Sequence, residues 1–218
     1  MHKGMRKPAQ KVCVYVFDIK DERKPEERLK SAVAEYCREW SLEAVRPEVL
    51  RVERTESGKP YFPDCPRIQF SISHSGAYWA CAVAEKSVGM DIQEHVRKKS
   101  ETREAAAARF LKMAHRFFHP VEAKFVELDS CPNFFTVWTA REAYVKYTGQ
   151  GIDKHFSEYC VVPEQEEQWP YIADQTEETT WQALGKWFWK SGYGKGYSLC
   201  VCTEEPCECV IVPRIQEQ

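Results

Sequence analysis

Trp138, Glu142 and Lys146 recur four residues apart, so one helix carries all three on a single face over about two turns. That face has two readings. Glu four residues before Lys is an ordinary surface ion pair, with Trp138 in the core. Alternatively, Glu142 is a metal ligand or general base and Lys146 a phosphate-binding cation. A second group stands at Gly89-Met90-Asp91-Ile92-Gln93, where Asp91 and Gln93 point to the same side of a strand. Asp91, the Gln93 amide oxygen and Glu142 form an oxygen donor set of the kind magnesium takes, few carboxylates with water and substrate phosphate completing the shell. Strand-end Asp and Gln facing water are the plainer explanation of the same residues.

Ser73-His74-Ser75-Gly76 follows an apolar strand and offers hydroxyls, an imidazole and backbone N–H groups in a loop, the equipment of a phosphate site. Lys59, in the turn Ser57-Gly58-Lys59-Pro60, is a further cation. Adjacent Ser and His in one loop suit a nucleophile–base pair poorly, because the base must approach the hydroxyl from elsewhere. Cys200-x-Cys202 and Cys207-x-Cys209 raise the question of zinc, but cysteines two apart on a strand wrap an ion badly, so they read as small buried hydrophobes.

The elements that must position these residues follow from periodicity. Strands are predicted at Val12–Phe17, Arg51–Arg54, Ile68–Ile72, Tyr78–Ala84, Val88–Ile92, Tyr159–Val162, Thr180–Leu184, Tyr197–Cys202 and Cys209–Val212. Pro25 opens a helix through Trp40, and further helices are predicted at Glu101–Ala114, Val121–Leu128 and Phe134–Tyr147. The stretches Glu164–Glu167 and Asp174–Thr179 read as solvated loops. The order gives an α+β fold in two lobes meeting near residues 85–90, with an N-terminal lobe at 1–87 and a C-terminal lobe at 88–218.

The 218 residues suit one domain or two small lobes, and 43% hydrophobic content with seven Trp argues against disorder. Thirty-one Lys and Arg against 33 Asp and Glu leave a net charge of −2, with no basic field for nucleic acid. No apolar run approaches the ~20 residues of a membrane helix. The basic start MHKGMRKPAQ leads only into Val12–Phe17, too short for a signal sequence. Ten cysteines then fit a reducing cytoplasm with mostly free thiols.

Taken in order, Gly58-Lys59-Pro60, Phe70-Ser71-Ile72-Ser73-His74-Ser75-Gly76, Gly89-Met90-Asp91-Ile92 and Trp138-Thr139-Ala140-Arg141-Glu142-Ala143-Tyr144-Val145-Lys146 resemble the 4′-phosphopantetheinyl transferases. The length resembles the surfactin-synthetase-activating type. The likeness spans roughly residues 50–150, and Arg116-Phe117-Phe118 and Glu122 also suit it.

The resemblance implies two similar lobes related by a pseudo-twofold, each a helix on a small, mainly antiparallel sheet, with the ligand in the cleft between them. It implies transfer of the phosphopantetheine arm of coenzyme A to a serine of an apo acyl or peptidyl carrier protein, releasing 3′,5′-ADP, by a monomer. Magnesium, or manganese in its place, would sit on Asp91 and Glu142 with Gln93. Glu142 would be the base, Lys146 would stabilise the transferring phosphoryl, and Lys59, Ser73 and His74 would anchor coenzyme A. Arg97-Lys98-Lys99 or Arg109–Arg116 would meet an acidic carrier.

The chain departs from the family pattern twice. Gln93 stands where Glu is common, which removes a negative charge from the metal site, and Arg141 stands where Lys is usual. Gln93 keeps open a non-catalytic coenzyme A or carrier-protein binding module. A magnesium-dependent phosphodiester hydrolase is a weaker reading, since no further acidic cluster supports it. Arg23, Lys24 and Arg28 are candidates for nucleotide contacts, with a solvated face as the plainer reading.

Overall fold

Alternating apolar residues on both sides of the first strand call for cover on two faces, and the fold supplies it. The computed structural model describes residues 10–42, 45–151, 156–175 and 177–214. In chain order the elements are β1 (Gln10–Asp18), α1 (Pro25–Glu39), β2 (Glu53–Arg54), β3 (Pro60–Tyr61), β4 (Gln69–Ser75), β5 (Tyr78–Ala84), β6 (Val88–Glu94), α2 (Arg103–Phe117), α3 (Pro120–Leu128), α4 (Ser130–Thr148), α5 (Trp169–Ala173), β7 (Thr179–Ala183), β8 (Lys186–Tyr193), β9 (Tyr197–Thr203) and β10 (Cys207–Arg214). This is an α+β fold with two four-stranded sheets, β10-β1-β5-β4 and β6-β9-β8-β7. Every pairing in them is antiparallel except β1 with β10. The expected division after residue 87 falls in the turn between β5 and β6, and the last strand recrosses it to join β1.

Four layers result. Cys13, Tyr15 and Phe17 of β1 pack with Leu29, Val33 and Tyr36 of α1. Val12, Val14 and Val16 face the other way, with Ala80, Ala82 and Ala84 of β5, onto Met90, Ile92, Leu199 and Val201 of the second sheet. The far side of that sheet, through Phe188, Cys200 and Cys202, meets Phe134, Val137, Ala140 and Ala143 of α4. The alanines of β5 keep the two sheets close, and removing these side chains from water supplies most of the driving force.

Several elements depart from the sequence reading. Tyr159–Val162 forms no strand, because its backbone groups are taken by side chains: Val161 N–H donates to Glu122 Oε1 at 2.8 Å, and Trp181 Nε1 donates to Val161 O at 2.7 Å. β8 was absent from the prediction because Phe188 faces the helices and Trp189 the other sheet, so no polar alternation marks it. Ser73 to Ser75 continue β4 rather than forming a loop, since the β4–β5 hairpin closes over Gly76 and Ala77. Gly76 has φ +51°, and a Cβ there would lie 2.3 Å from Glu94 Oε2, so the turn docks tightly on β6. The helix at 130–148 also begins four residues before its predicted start, with Pro132 in its first turn.

Helix α4 is anchored by a fully buried ion pair between Arg141 and Glu122. Glu122 also accepts from His119 N and Val161 N, and Arg141 Nη1 donates to Tyr159 O at 3.1 Å. The Arg141 guanidinium lies 4.2 to 5.3 Å from the ring centres of Phe156, Tyr159 and Phe118. These rings compensate Nε and Nη2, which have no hydrogen-bond partner among the described residues. Arg141→Met strands the Glu122 carboxylate in the core. Urea unfolding should register a loss of about 3–5 kcal/mol; a loss below about 1 kcal/mol, the size of an exposed pair, would contradict the structural role assigned here.

Candidate functional site

The site is built where β6 lies against α4. Gly89, Asp91 and Gln93 share the strand face toward the helix. A Cβ on Gly89 would sit 2.0 Å from Ala143 O and 2.4 Å from Tyr147 N, so only glycine allows the two backbones this close. The next residue on that face, Asp91, is brought to Lys146, whose Nζ donates to Asp91 Oδ1 at 2.6 Å. Ser73 Oγ, from the other sheet, donates to the same oxygen at 2.5 Å. Asp91 is 4% exposed, and its Oδ2 is buried with no hydrogen-bond partner among the described residues.

Glu142 is half-buried one turn before Lys146. Burial first, and then the negative charge of Asp91, push its carboxyl above the usual range, while Lys146 pulls it down. Burial likewise raises Asp91 against the opposing pull of Lys146 and Ser73. Asp91 on the strand and Glu142 on the helix thus face one seam, close enough for the charge of Asp91 to act on Glu142.

A cavity of about 650 Å³ opens beside this seam. Arg28, Arg54, Lys59, His74 and Lys146 line it, with Phe70, Ile72 and Trp79 as apolar wall. Such a lining fits a ligand carrying several negative charges and a flat apolar portion. Lys59 and His74 line this cavity, and His74 is exposed at its rim. The Lys59 ammonium also donates to Tyr147 O at 2.6 Å, tying it to the end of α4, and burial holds its pKa below the usual lysine range. Ser73 does not reach the cavity: it is buried and spends its proton on Asp91.

Two further cationic residues line the cavity. Arg28, a candidate nucleotide contact whose plainer reading was a solvated face, is not solvated but buried: its guanidinium donates to Asp21 O and stands 5.7 Å from the Trp79 ring centre. Its place beside Leu29, at the edge of the apolar stripe of α1, was the available signal. Arg54 gave none, since an exposed arginine at the end of a two-residue strand looks like any other.

Gln93 is half-buried, and its Nε2 donates to Glu94 O at 3.4 Å. It lines a second cavity of about 300 Å³ with Lys98, Arg109, Phe110, Met113, Phe135 and Trp138. The β6–α4 seam thus has a cationic cavity at its Lys146 end and a largely apolar one at its Trp138 end, with Asp91 and Glu142 between. Among the described residues, no group of three or more His, Cys, Asp or Glu is placed to hold a metal ion, and all ten cysteines are free thiols. No helix among the described residues is long and apolar enough to cross a membrane.

The sequence of this chain matches a known family. Residues 87–202 match the model of the 4′-phosphopantetheinyl transferase superfamily, and the chain belongs to that superfamily. It is 32% identical over 110 residues to a 4′-phosphopantetheinyl transferase of Bacillus subtilis, covering 49% of this chain and 44% of the relative. It is 30% identical over 117 residues to the 4′-phosphopantetheinyl transferase Sfp of Bacillus subtilis strain 168, covering 51% and 47%. With the enzyme gsp of Aneurinibacillus migulanus it shares 34% over 111 residues, 48% and 40% of the two chains. The matched stretch spans about half the length of these curated relatives.

Gly89→Ala tests the backbone contact that assembles the site. Overpacking against Ala143 and Tyr147 should cost about 1–3 kcal/mol in denaturant unfolding. Unchanged stability would mean that the strand and helix do not approach as described.

Proposed function

We propose that this chain transfers the 4′-phosphopantetheine arm of coenzyme A to a serine of an apo acyl or peptidyl carrier protein, releasing 3′,5′-ADP. The observation that carries the proposal is Asp91: one oxygen is held by Lys146 and Ser73, while the other is buried and unpartnered among the described residues, in the seam shared with Glu142 beside a cationic cavity. In this reading each sheet with its helix is one of two similar lobes, and the cavity is the coenzyme A cleft between them. Lys59 and His74 come from one side of it and Lys146 from the other.

The donor set fits a hard divalent cation. A buried carboxylate oxygen without a partner is costly unless something binds it, and Asp91 Oδ2 is such an atom. Asp91 and Glu142 would hold magnesium, with the Gln93 amide oxygen as a neutral third donor; manganese suits the same oxygens. Bound there, the ion would offset charge on the pyrophosphate and polarise the phosphorus under attack.

The protein's own groups supply the rest. Arg28, Arg54, Lys59 and His74 would anchor the phosphates and so fix the pyrophosphate relative to the carrier serine. Glu142, made more basic by burial and by Asp91, would accept the serine hydroxyl proton, directly or through a water. The serine oxygen then bonds to the phosphorus that bears the pantetheine arm, and the bond to the departing 3′,5′-ADP breaks, its electron pair leaving with the nucleotide. Lys146 would stabilise charge on the transferring phosphoryl. Lys98 and Arg109, at the rim of the apolar cavity beside Gln93, suit an acidic helical carrier.

Incubation with coenzyme A, magnesium and a panel of apo carriers should add ~340 Da to at least one of them by intact-mass spectrometry, the mass of the transferred group. Chelation should stop the transfer. Glu142→Gln should lower turnover by about 10²–10⁴-fold while coenzyme A still binds. Folded protein that modifies no carrier, yet binds coenzyme A without metal, would instead be the binding module that neutral Gln93 raises. Gln93→Glu should lower the magnesium concentration for half-maximal activity; an unchanged requirement places Gln93 outside the metal shell.

A further inference from the structure

β4 and β6 are edge strands of different sheets, and three serines on one face of β4 join them. Met90 N donates to Ser71 Oγ at 2.9 Å, and Glu94 N donates to Ser75 Oγ at 3.0 Å. These outer two satisfy backbone N–H groups along the edge of β6, the ordinary need of a sheet margin. The middle serine differs. Ser73 Oγ donates to a side chain, Asp91 Oδ1, at 2.5 Å, and is 6% exposed.

We propose that Ser73 is a positioning residue for Asp91, not a ligand of coenzyme A; the proposal rests on the transferase reading above. Successive strand residues point to opposite faces, so His74 goes to the cavity rim while Ser73 turns inward to the carboxylate. A single ammonium on Oδ1 leaves a carboxylate free to rotate about its Cβ–Cγ bond. A hydroxyl and an ammonium converging on Oδ1 from two elements fix its plane and leave Oδ2 as the free donor toward a cation. Hydrogen bonds to the ligating carboxylate tune metal affinity as strongly as some ligands do. Because Ser73 belongs to the first sheet, the orientation of Asp91 depends on how the two sheets pack.

The test separates metal binding from coenzyme A binding. Manganese affinity of the coenzyme A complex is read by electron paramagnetic resonance, and coenzyme A affinity by calorimetry in chelator. Ser73→Ala should weaken manganese about 10–100-fold, with metal-free coenzyme A affinity kept within about twofold. Ser73→Thr, which retains the hydroxyl, should restore manganese binding. Ser75→Ala removes a comparable seam bond and should lower the melting temperature without changing manganese affinity. If Ser73→Ala does not fold, Ser73→Cys, a weaker donor of similar size, should show the same selective weakening. Wild-type manganese affinity in the folded Ala or Cys variant overturns the proposal. So does a loss confined to metal-free coenzyme A binding, which would put Ser73 on the phosphates. Wild-type protein that binds neither coenzyme A nor manganese overturns the transferase reading itself, whatever Ser73 does.

Discussion

Asp91 is a buried carboxylate in an apolar seam, and the arrangement around it exists to make that tolerable. Its charge is met by an ammonium from α4 and a hydroxyl from β4, two elements converging on one oxygen of a third. Those donors can reach it only because Gly89 lets the strand touch the helix and because the alanines of β5 let the sheets close. Move the helix outward by the radius of a methyl group and Lys146 loses its acceptor. The position of α4 therefore governs the site, and Arg141 with Glu122 fixes that position from the opposite face of the same helix.

The placement of charge divides labour along the seam. Cations gather on the cavity at the Lys146 end, while the Trp138 end is largely apolar with Lys98 and Arg109 beside it. A substrate with several phosphates would be drawn to the first end, and a chain with apolar and acidic character to the second. Between them stand two carboxyl groups, both raised by burial, with the charge of Asp91 raising Glu142 further.

Much of this was legible in the chain itself. The spacing of Trp138, Glu142 and Lys146, and the strand period of Asp91 and Gln93, describe local geometry that the fold keeps. β1, with apolar residues on both faces, already implied two layers of cover. What stayed hidden depends on partners distant in sequence. β8 shows no alternation because both its faces are buried, and Val161 is held by Glu122 and Trp181 instead of a neighbouring strand. The return of β10 to β1 has no local signature. Ser73 and His74 look alike as phosphate ligands in a tetrapeptide, and only the continued strand separates their directions. Arg28 stayed ambiguous because a charged residue on the border of an apolar stripe can turn either way, and here Trp79 and the Asp21 carbonyl turn it inward.

The account stands on two carboxyl groups, distant in sequence, meeting at one divalent ion. A crystal structure of the protein with coenzyme A and manganese tests this most directly, through the anomalous signal of the metal. The account predicts one strong peak in direct contact with an oxygen of Asp91 and an oxygen of Glu142, against the pyrophosphate. Bound coenzyme A with the metal elsewhere, or with those carboxylates too far apart to share it, would contradict the account.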